Sequence, residues 1–257
     1  MSELFAANRR VKRGWMNLRV TEVNTETPDT LTFVMVDADD GGRPFDYVAG
    51  QYLTFRFDGI VDKPVVRSYT MSSSPLQPDI SAFTVKRVEG GLISNWLCDN
   101  VQPGTVLRAR GPIGKFCFDP GHDRSHLMMV AGGSGVTPFV SIIRQHAPTL
   151  GKPGSPKRMS LVVSYRSRAD LICWKELEEA RAAGVAVHTT LSREDARSEG
   201  FLQGRISDGM LKELIRGDYA NTTFMTCGPK EIMSLTVAHV KAAGVDDAHM
   251  KQESFES

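Results

Sequence analysis

Leu127-Met128-Met129-Val130-Ala131 runs without a break into Gly132-Gly133-Ser134-Gly135-Val136-Thr137-Pro138. Five consecutive apolar residues suit a strand buried on both faces, as in a parallel sheet covered by helices. The glycines that follow turn the chain tightly. Val136, Phe139, Val140 and Ile143 then fall at i, i+3, i+4 and i+7, a single helical stripe. Strand, glycine turn and helix together make the first βα unit of a sheet. Dinucleotides dock at such a turn, on free backbone N–H groups and a helix dipole. The match to G-x-G-x-x-G is incomplete, because Pro138 stands where the last glycine would. No Lys-Ser/Thr follows to make a P-loop.

Downstream the pattern repeats. The spacing predicts strands over residues 160–164, 185–191 and 223–227, and helices over 174–183, 208–216 and 230–243. Gly184 and Gly244 end two of these helices. Alternating β and α units imply a parallel sheet with helices on both faces. The strand C-termini of such a sheet form its ligand crevice, and Cys227-Gly228-Pro229 closes the last predicted strand there. A single cysteine is usually an inert buried thiol; at this position it can instead pack against a nicotinamide ring. Ser192-Arg193-Glu194 follows the third strand, and Arg166 and Arg168 follow the second.

Upstream of Pro120-Gly121 the character changes. Short runs rich in β-branched and aromatic residues cover 16–23, 31–37, 51–57, 66–72, 82–88 and 106–110. Turn residues separate them, as in Asp39-Asp40-Gly41-Gly42 and Pro103-Gly104. Six such strands predict a small antiparallel β-barrel. The expected plan is a tail over 1–14, a barrel domain over 15–120 and an α/β domain over 121–257.

Two motifs on the barrel carry chemistry. In Arg67-Ser68-Tyr69-Thr70, strand alternation points Arg67 and Tyr69 one way and Thr70 the other. A guanidinium, a flat aromatic and a hydroxyl suit a ligand with a ring and a phosphate, although surface Arg and cross-strand Tyr are common. Further on, Val85-Lys86-Arg87-Val88-Glu89-Gly90-Gly91-Leu92-Ile93-Ser94 ends a strand, turns on two glycines and starts a helix near Ser94. That helix start can hold an anion; a tight turn with a serine cap is the competing reading.

Bulk composition narrows the class. Apolar residues make up 41%, enough for a real core, and 31 basic against 30 acidic residues leave a net charge of +1. This balance gives no electrostatic reason to expect nucleic acid or an anionic membrane as partner. No run approaches the roughly 18 apolar residues of a membrane span, and the N-terminus lacks an apolar signal core. The expectation is a cytoplasmic protein. The cysteines at 98, 117, 173 and 227 show no C-x-x-C spacing, so no metal or cluster site is expected in this chain.

Taken in order, these motifs resemble the ferredoxin–NADP reductase superfamily over nearly the whole chain from Trp15. Ser94-Asn95-Trp96-Leu97-Cys98-Asp99 and Gly111-Pro112-Ile113-Gly114-Lys115-Phe116 strengthen the likeness. Glu26-Thr27-Pro28-Asp29, Thr226-Cys227-Gly228-Pro229 and Gln252-Glu253-Ser254-Phe255 look like the hybrid-cluster protein reductases, and equally like reductase components of Rieske-type oxygenases. The resemblance implies an enzyme that takes hydride from NAD(P)H onto FAD and passes electrons to an iron–sulfur acceptor. It implies that Arg67 holds FAD phosphate, Tyr69 lies against the flavin and Thr70 approaches its N5 atom. Val85 and Lys86 would line the flavin site, and Gly91, Ile93 and Ser94 would cradle the pyrophosphate. Gly133, Gly135 and Thr137 would bind the nicotinamide dinucleotide, with Cys227, Gly228 and Pro229 beside the nicotinamide. Glu253 and Phe255 would complete the flavin pocket. Thr70, Cys227 and Glu253 are thus the expected catalytic residues.

Two departures from the family pattern stand out. Relatives often continue past Glu-x-Phe into a [2Fe–2S] domain with C-x4-C-x2-C spacing, whereas this chain stops at Ser257. The expectation is that such a domain has been removed, with a separate acceptor protein as the alternative. A Ser-Arg pair at the place of Ser192-Arg193 recognises the 2′-phosphate of NADPH in plant-type reductases, while many hybrid-cluster relatives use NADH. With Arg166 in support, the pair implies NADPH; a solvated basic loop is the competing reading. Two further alternatives are a stand-alone flavin or ferredoxin reductase and a nucleotide-binding regulatory module without redox chemistry.

Overall fold

The structure, a computed structural model, describes residues 14–42, 44–77 and 79–255. The expectations for the tail over 1–13 and for Glu256-Ser257 lie outside these residues. The chain forms two compact units that divide between Cys117 and Phe118.

The first unit holds β1 (Met16–Thr27), β2 (Thr30–Asp37), β3 (Tyr52–Phe57), β4 (Val65–Thr70), β5 (Ser81–Lys86), α1 (Leu92–Asn100) and β6 (Val106–Ile113). All pairings are antiparallel, in the order β4-β3-β6-β1-β2-β5. The two edge strands meet through a bridge between Met71 and Phe83, which closes the predicted barrel. Alternation drives this fold: Leu18, Val20, Phe33, Met35, Leu53, Phe55 and Phe83 turn inward and are buried. Phe83 packs on Phe55 at 4.6 Å and on Phe33 at 5.2 Å between ring centroids. Ile93 and Leu97 of α1 pack into the same core. The helix begins at Leu92 rather than near Ser94, because Gly91 and not Ser94 takes the capping position.

The second unit holds β7 (His126–Gly132), α2 (Thr137–His146), β8 (Arg158–Tyr165), α3 (Trp174–Ala182), β9 (Ala186–Leu191), β10 (Leu202–Gln203), α4 (Asp208–Ile215), β11 (Thr222–Cys227), α5 (Lys230–Ala242) and β12 (Met250–Glu253). Its sheet is parallel, in the order β10-β9-β8-β7-β11-β12. β10 and β12 extend the four predicted strands to six; both are short and lack an alternating pattern. All seven residues of β7 are buried, as expected of a central strand. α4 and α5 cover the face of Met128, Val130 and Phe224. The right-handed crossover rule puts α2 and α3 on the other face, since the chain steps outward through β8 and β9 and returns to β11. Strand order therefore reverses between β7 and β11, the switch point at which open sheets bind ligands.

Candidate functional site

Each unit presents a candidate site of its own. In the first unit, β4 pairs with β3 so that Phe55 lies opposite Arg67 and Leu53 opposite Tyr69. Tyr69 is half-buried, its ring 6.0 Å from Phe55 and 5.4 Å from Phe83. Burial pushes the phenol well above its ordinary value, against a smaller opposing effect of the Arg67 charge, so it stays neutral. Arg67 is exposed and donates to its neighbour's carbonyl, Val66 O, at 2.8 Å. Ser68 hydrogen-bonds Thr54 across the strands at 3.1 Å on the opposite face. Thr70 lies opposite Tyr52 and is buried.

β5 abuts β4 through the Met71–Phe83 bridge and leads into the glycine turn. Val85 is part of the core. Lys86 reaches Asp29, Nζ to Oδ2 at 2.7 Å. Burial would raise the Asp29 carboxyl, but hydrogen bonds from Lys86, Thr27 and Thr30 outweigh it and hold Asp29 below the usual range. The turn is tied from behind. Ser94 Oγ accepts from Val88 N at 3.1 Å, and Asn95 Nδ2 donates to Val88 O at 3.0 Å and to Gly91 O at 2.6 Å. A Cβ on Gly91 would come within 2.6 Å of Ser94 Oγ and 3.0 Å of Val88. Ile93 spends its side chain in the core, so what it and Ser94 offer outward is backbone N–H at the start of a nine-residue helix.

In the second unit the loops after β7 and β11 interlock. A Cβ on Gly135 would sit 2.3 Å from Cys227 O and 2.7 Å from Gly228 Cα. One on Gly228 would meet Gly132 N and O at 2.9 Å. The glycines let two backbones touch where side chains would hold them apart. Gly133 and Ser134 form the less buried side of the turn, and nothing lies within 4 Å of where a Gly133 Cβ would be. Thr137 is buried, and its hydroxyl donates to Ser134 O at 3.0 Å, leaving it only acceptor capacity. Pro138 fits the first turn of α2, where a missing N–H costs nothing.

Cys227 is buried between Ala131 of β7 and Glu253 of β12. Burial pushes its thiol well up and the neighbouring Glu253 charge adds to this, so it stays protonated. Pro229 caps α5, and Phe255 is 43% exposed. At the ends of β8 and β9 the backbone bonds Ser192 N to Tyr165 O (3.0 Å) and Arg193 N to Arg166 O (2.8 Å) bring two loops side by side. Arg168 is held by Glu194 (2.5 Å) and Glu199 (2.7 Å). Arg166 and Arg193 are exposed with no carboxylate partner among the described residues.

A barrel with an anion-ready helix start, followed by a parallel sheet with a glycine loop at its switch point, is an arrangement of two domains of the kind that bind dinucleotides. The family model of the oxidoreductase FAD-binding domain matches residues 17–118, and that of the oxidoreductase NAD-binding domain matches residues 129–238. The chain belongs to the ferredoxin reductase family, as its motif order implied. It is 35% identical over 248 residues to the glycine betaine monooxygenase reductase subunit of Chromohalobacter salexigens, covering 94% of this chain and 64% of that protein. It is 32% identical over 231 residues to NADH oxidoreductase HCR of Escherichia coli, covering 89% and 65%. The chain thus spans just under two thirds of the length of these relatives. The FAD/NAD-binding domain of a nitric oxide dioxygenase from Vibrio cholerae superposes with a TM-score of 0.81 at 27% identity, covering 93% of this chain and 98% of that one.

Proposed function

We propose that the chain is an FAD-dependent NAD(P)H oxidoreductase that passes electrons to an iron–sulfur acceptor, in a further domain or a separate protein such as a hybrid-cluster protein or a Rieske-type oxygenase. The observation that carries this reading is the interlock of Gly135 with Cys227-Gly228 at the switch point, on a chain whose barrel carries a second glycine turn at the start of α1. FAD, when bound, accepts hydride from NAD(P)H and releases electrons singly. The residues present fit that cofactor: the glycine at 91 lets the turn fold tightly against Ser94 and Val88, and the first N–H groups of α1 start a helix where a phosphate can dock.

In this reading Arg67 holds a phosphate through charge-assisted hydrogen bonds. Tyr69, neutral and braced by Phe55 and Phe83, supplies a flat face for the ring. Thr70 approaches the flavin N5 atom, Val85 lines the site from the core, and Lys86 acts by fixing Asp29 at the rim. Gly91, Ile93 and Ser94 hold the pyrophosphate through backbone N–H groups. Gly133, Ser134, Gly135 and Thr137 receive the nicotinamide dinucleotide. Cys227, being protonated, is a soft packing surface beside the nicotinamide and not a competing nucleophile. Gly228 and Pro229 set its backbone, and Glu253 and Phe255 border the flavin. Orientation and exclusion of water are the protein's contribution to rate.

The coenzyme is NADPH in this reading. Arg168 engages Glu194, the carboxylate that would repel a 2′-phosphate, and the guanidiniums of Arg166 and Arg193 are left to attract it. A cytoplasmic location belongs to the same proposal; among the described residues no helix is long and apolar enough to cross a membrane. Titrating the FAD-loaded protein anaerobically with NADPH and NADH tests the whole. The flavin absorbance bleaches, faster with NADPH. A colourless protein after FAD addition, or one that neither coenzyme bleaches, overturns the reading. Arg193→Ala raises the KM for NADPH roughly tenfold, the size of one charge-assisted hydrogen bond, and leaves the KM for NADH in place; an unchanged NADPH value removes Arg193 from the site.

A further inference from the structure

The coenzyme loops occupy the C-terminal ends of the strands in the second unit. At the opposite ends, the chain entering β7 meets the chain entering β12. There His122, Asp123 and His249 each offer one ligand atom, and these atoms lie within 4.8 Å of one another. The Asp123 side chain is fully shielded from solvent. Its Oδ2 accepts from Lys251 Nζ at 2.5 Å and from Asp119 N at 2.7 Å. Its Oδ1 is buried without a hydrogen-bond partner, 3.7 Å from His122 Nδ1. A buried carboxylate oxygen left unmatched calls for an explanation. The rings of His122 and His249 lie 5.6 Å apart between centroids.

We propose that His122, His249 and Asp123 Oδ1 bind one divalent transition-metal ion of the Zn2+ class. Two imidazoles and one carboxylate suit borderline ions, whereas Ca2+ and Mg2+ want oxygen throughout and soft ions want thiolates. Tetrahedral coordination needs ligand atoms about 3.4 Å apart. The His122 side chain is 56% exposed and free to swing the remaining distance. Outer contacts already orient the ligands, since Lys251 and Asp119 N hold Oδ2, and Thr223 Oγ1 lies 3.4 Å from His249 Nδ1. Water from the open side fills the fourth position. The Lys251 charge opposes the ion, so it weakens the site it helps to shape.

The ion's effect is structural. It clips the approach to β7 to the approach to β12, cross-linking positions far apart in sequence. β12 is only four residues long and lies at the sheet edge, and its last residue, Glu253, pairs with Cys227. Binding therefore secures the strand that flanks the thiol, from the far end of the sheet. The proposal does not rest on hydride transfer.

Equilibrium dialysis of untagged, FAD-loaded protein against Zn2+, with metal analysis, tests it. One ion binds per chain and a chelator removes it. His122→Ala and His249→Ala each weaken binding at least about 100-fold, as expected for losing a ligand outright. Lys251→Met tightens it, a result that adventitious histidine binding would not give. A hundredfold excess of Zn2+ over its Kd raises Tm on the order of 5 °C in the parent and not in His122→Ala. His122 is exposed, so its removal leaves the fold intact even where His249→Ala destabilises. Zn2+ binding that survives both histidine substitutions, that is lost in Cys98→Ser or Cys117→Ser, or that is absent at millimolar Zn2+ overturns the proposal.

Discussion

The two units solve the same packing problem with different chemistry. The first contains none of the six histidines and the second contains all of them. The glycine turn of the first is braced by side chains, Ser94 and Asn95 reaching back to Val88 and Gly91. The turn of the second is braced by backbone against backbone, Gly135 on Cys227 and Gly228 on Gly132. A side chain can rotate away from an intruding methyl group, and a main chain in a strand cannot. The second unit is therefore the more brittle, to protons and to added atoms alike.

Acid gives the largest expected effect. His126 hydrogen-bonds Thr222 and Ser160 inside the sheet. Burial, helped by the Arg158 charge, lowers its pKa to about 4, and burial alone lowers that of His146 to about 4. An unfolded imidazole titrates near 6.5. Between these values the unfolded chain binds more protons, so stability is full above about pH 6.5 and is lost as pH falls toward 4. Each histidine contributes on the order of 3 kcal/mol over that window. In the first unit, the lowered Asp29 carboxyl gives up its contribution only below the ordinary carboxylate value of 3.8. Calorimetry from pH 7 to 4.5, with FAD release followed by fluorescence, should show the second unit melting first as acid is added. A first unit that melts at or before the second breaks the contrast.

Gly135→Ala comes next. The added Cβ would press on Cys227 O at 2.3 Å, which belongs to a backbone pinned by β7 and β12. The second unit loses about 3 kcal/mol, the upper end of overpacking costs, and flavin reduction by NAD(P)H slows with it. A Tm within a degree of the parent would mean the loops can part. Gly91→Ala is milder because its nearest obstacle is the rotatable Ser94 hydroxyl. Freeing that hydroxyl from Val88 N costs about 1 kcal/mol. FAD retention during gel filtration should fall while the melting of the second unit holds. Full retention would remove the turn from the pyrophosphate site.

The same distinction explains what the sequence could disclose. Apolar runs and alternation marked the barrel strands and β7, because burial of a whole strand or one face leaves a periodic trace. β10 and β12, with two and four residues, leave none, and the place of Glu253 beside Cys227 depends on a register that only pairing reveals. The competing reading made Ser94 a helix cap, yet its hydroxyl turns back to Val88 while Gly91 holds the capping position. Arg168 follows the second strand beside Arg166, yet Glu194 and Glu199 claim it from 26 and 31 residues away. Residue type announces what a side chain can do; its partners, distant in sequence, decide what remains for a ligand.

Lys86 sharpens that point with the smallest expected effect. The family resemblance lines the flavin site with its side chain, but its ammonium is engaged by Asp29, itself tied to Thr27 and Thr30. The Asp29 side chain is 40% exposed, so the pair lies in water's reach and contributes no more than about 1 kcal/mol to stability. Lys86→Met keeps the alkyl stem and removes the charge. It should lower Tm by a few degrees at most and weaken FAD binding less than tenfold, measured by fluorescence quenching. Asp29→Asn should do the same, since both changes break one pair. A large FAD loss in Lys86→Met with none in Asp29→Asn would mean that the ammonium leaves Asp29 for the cofactor. The side chains of the first unit's rim would then reorganise on binding, a freedom the backbone interlock at Gly135 denies to the second.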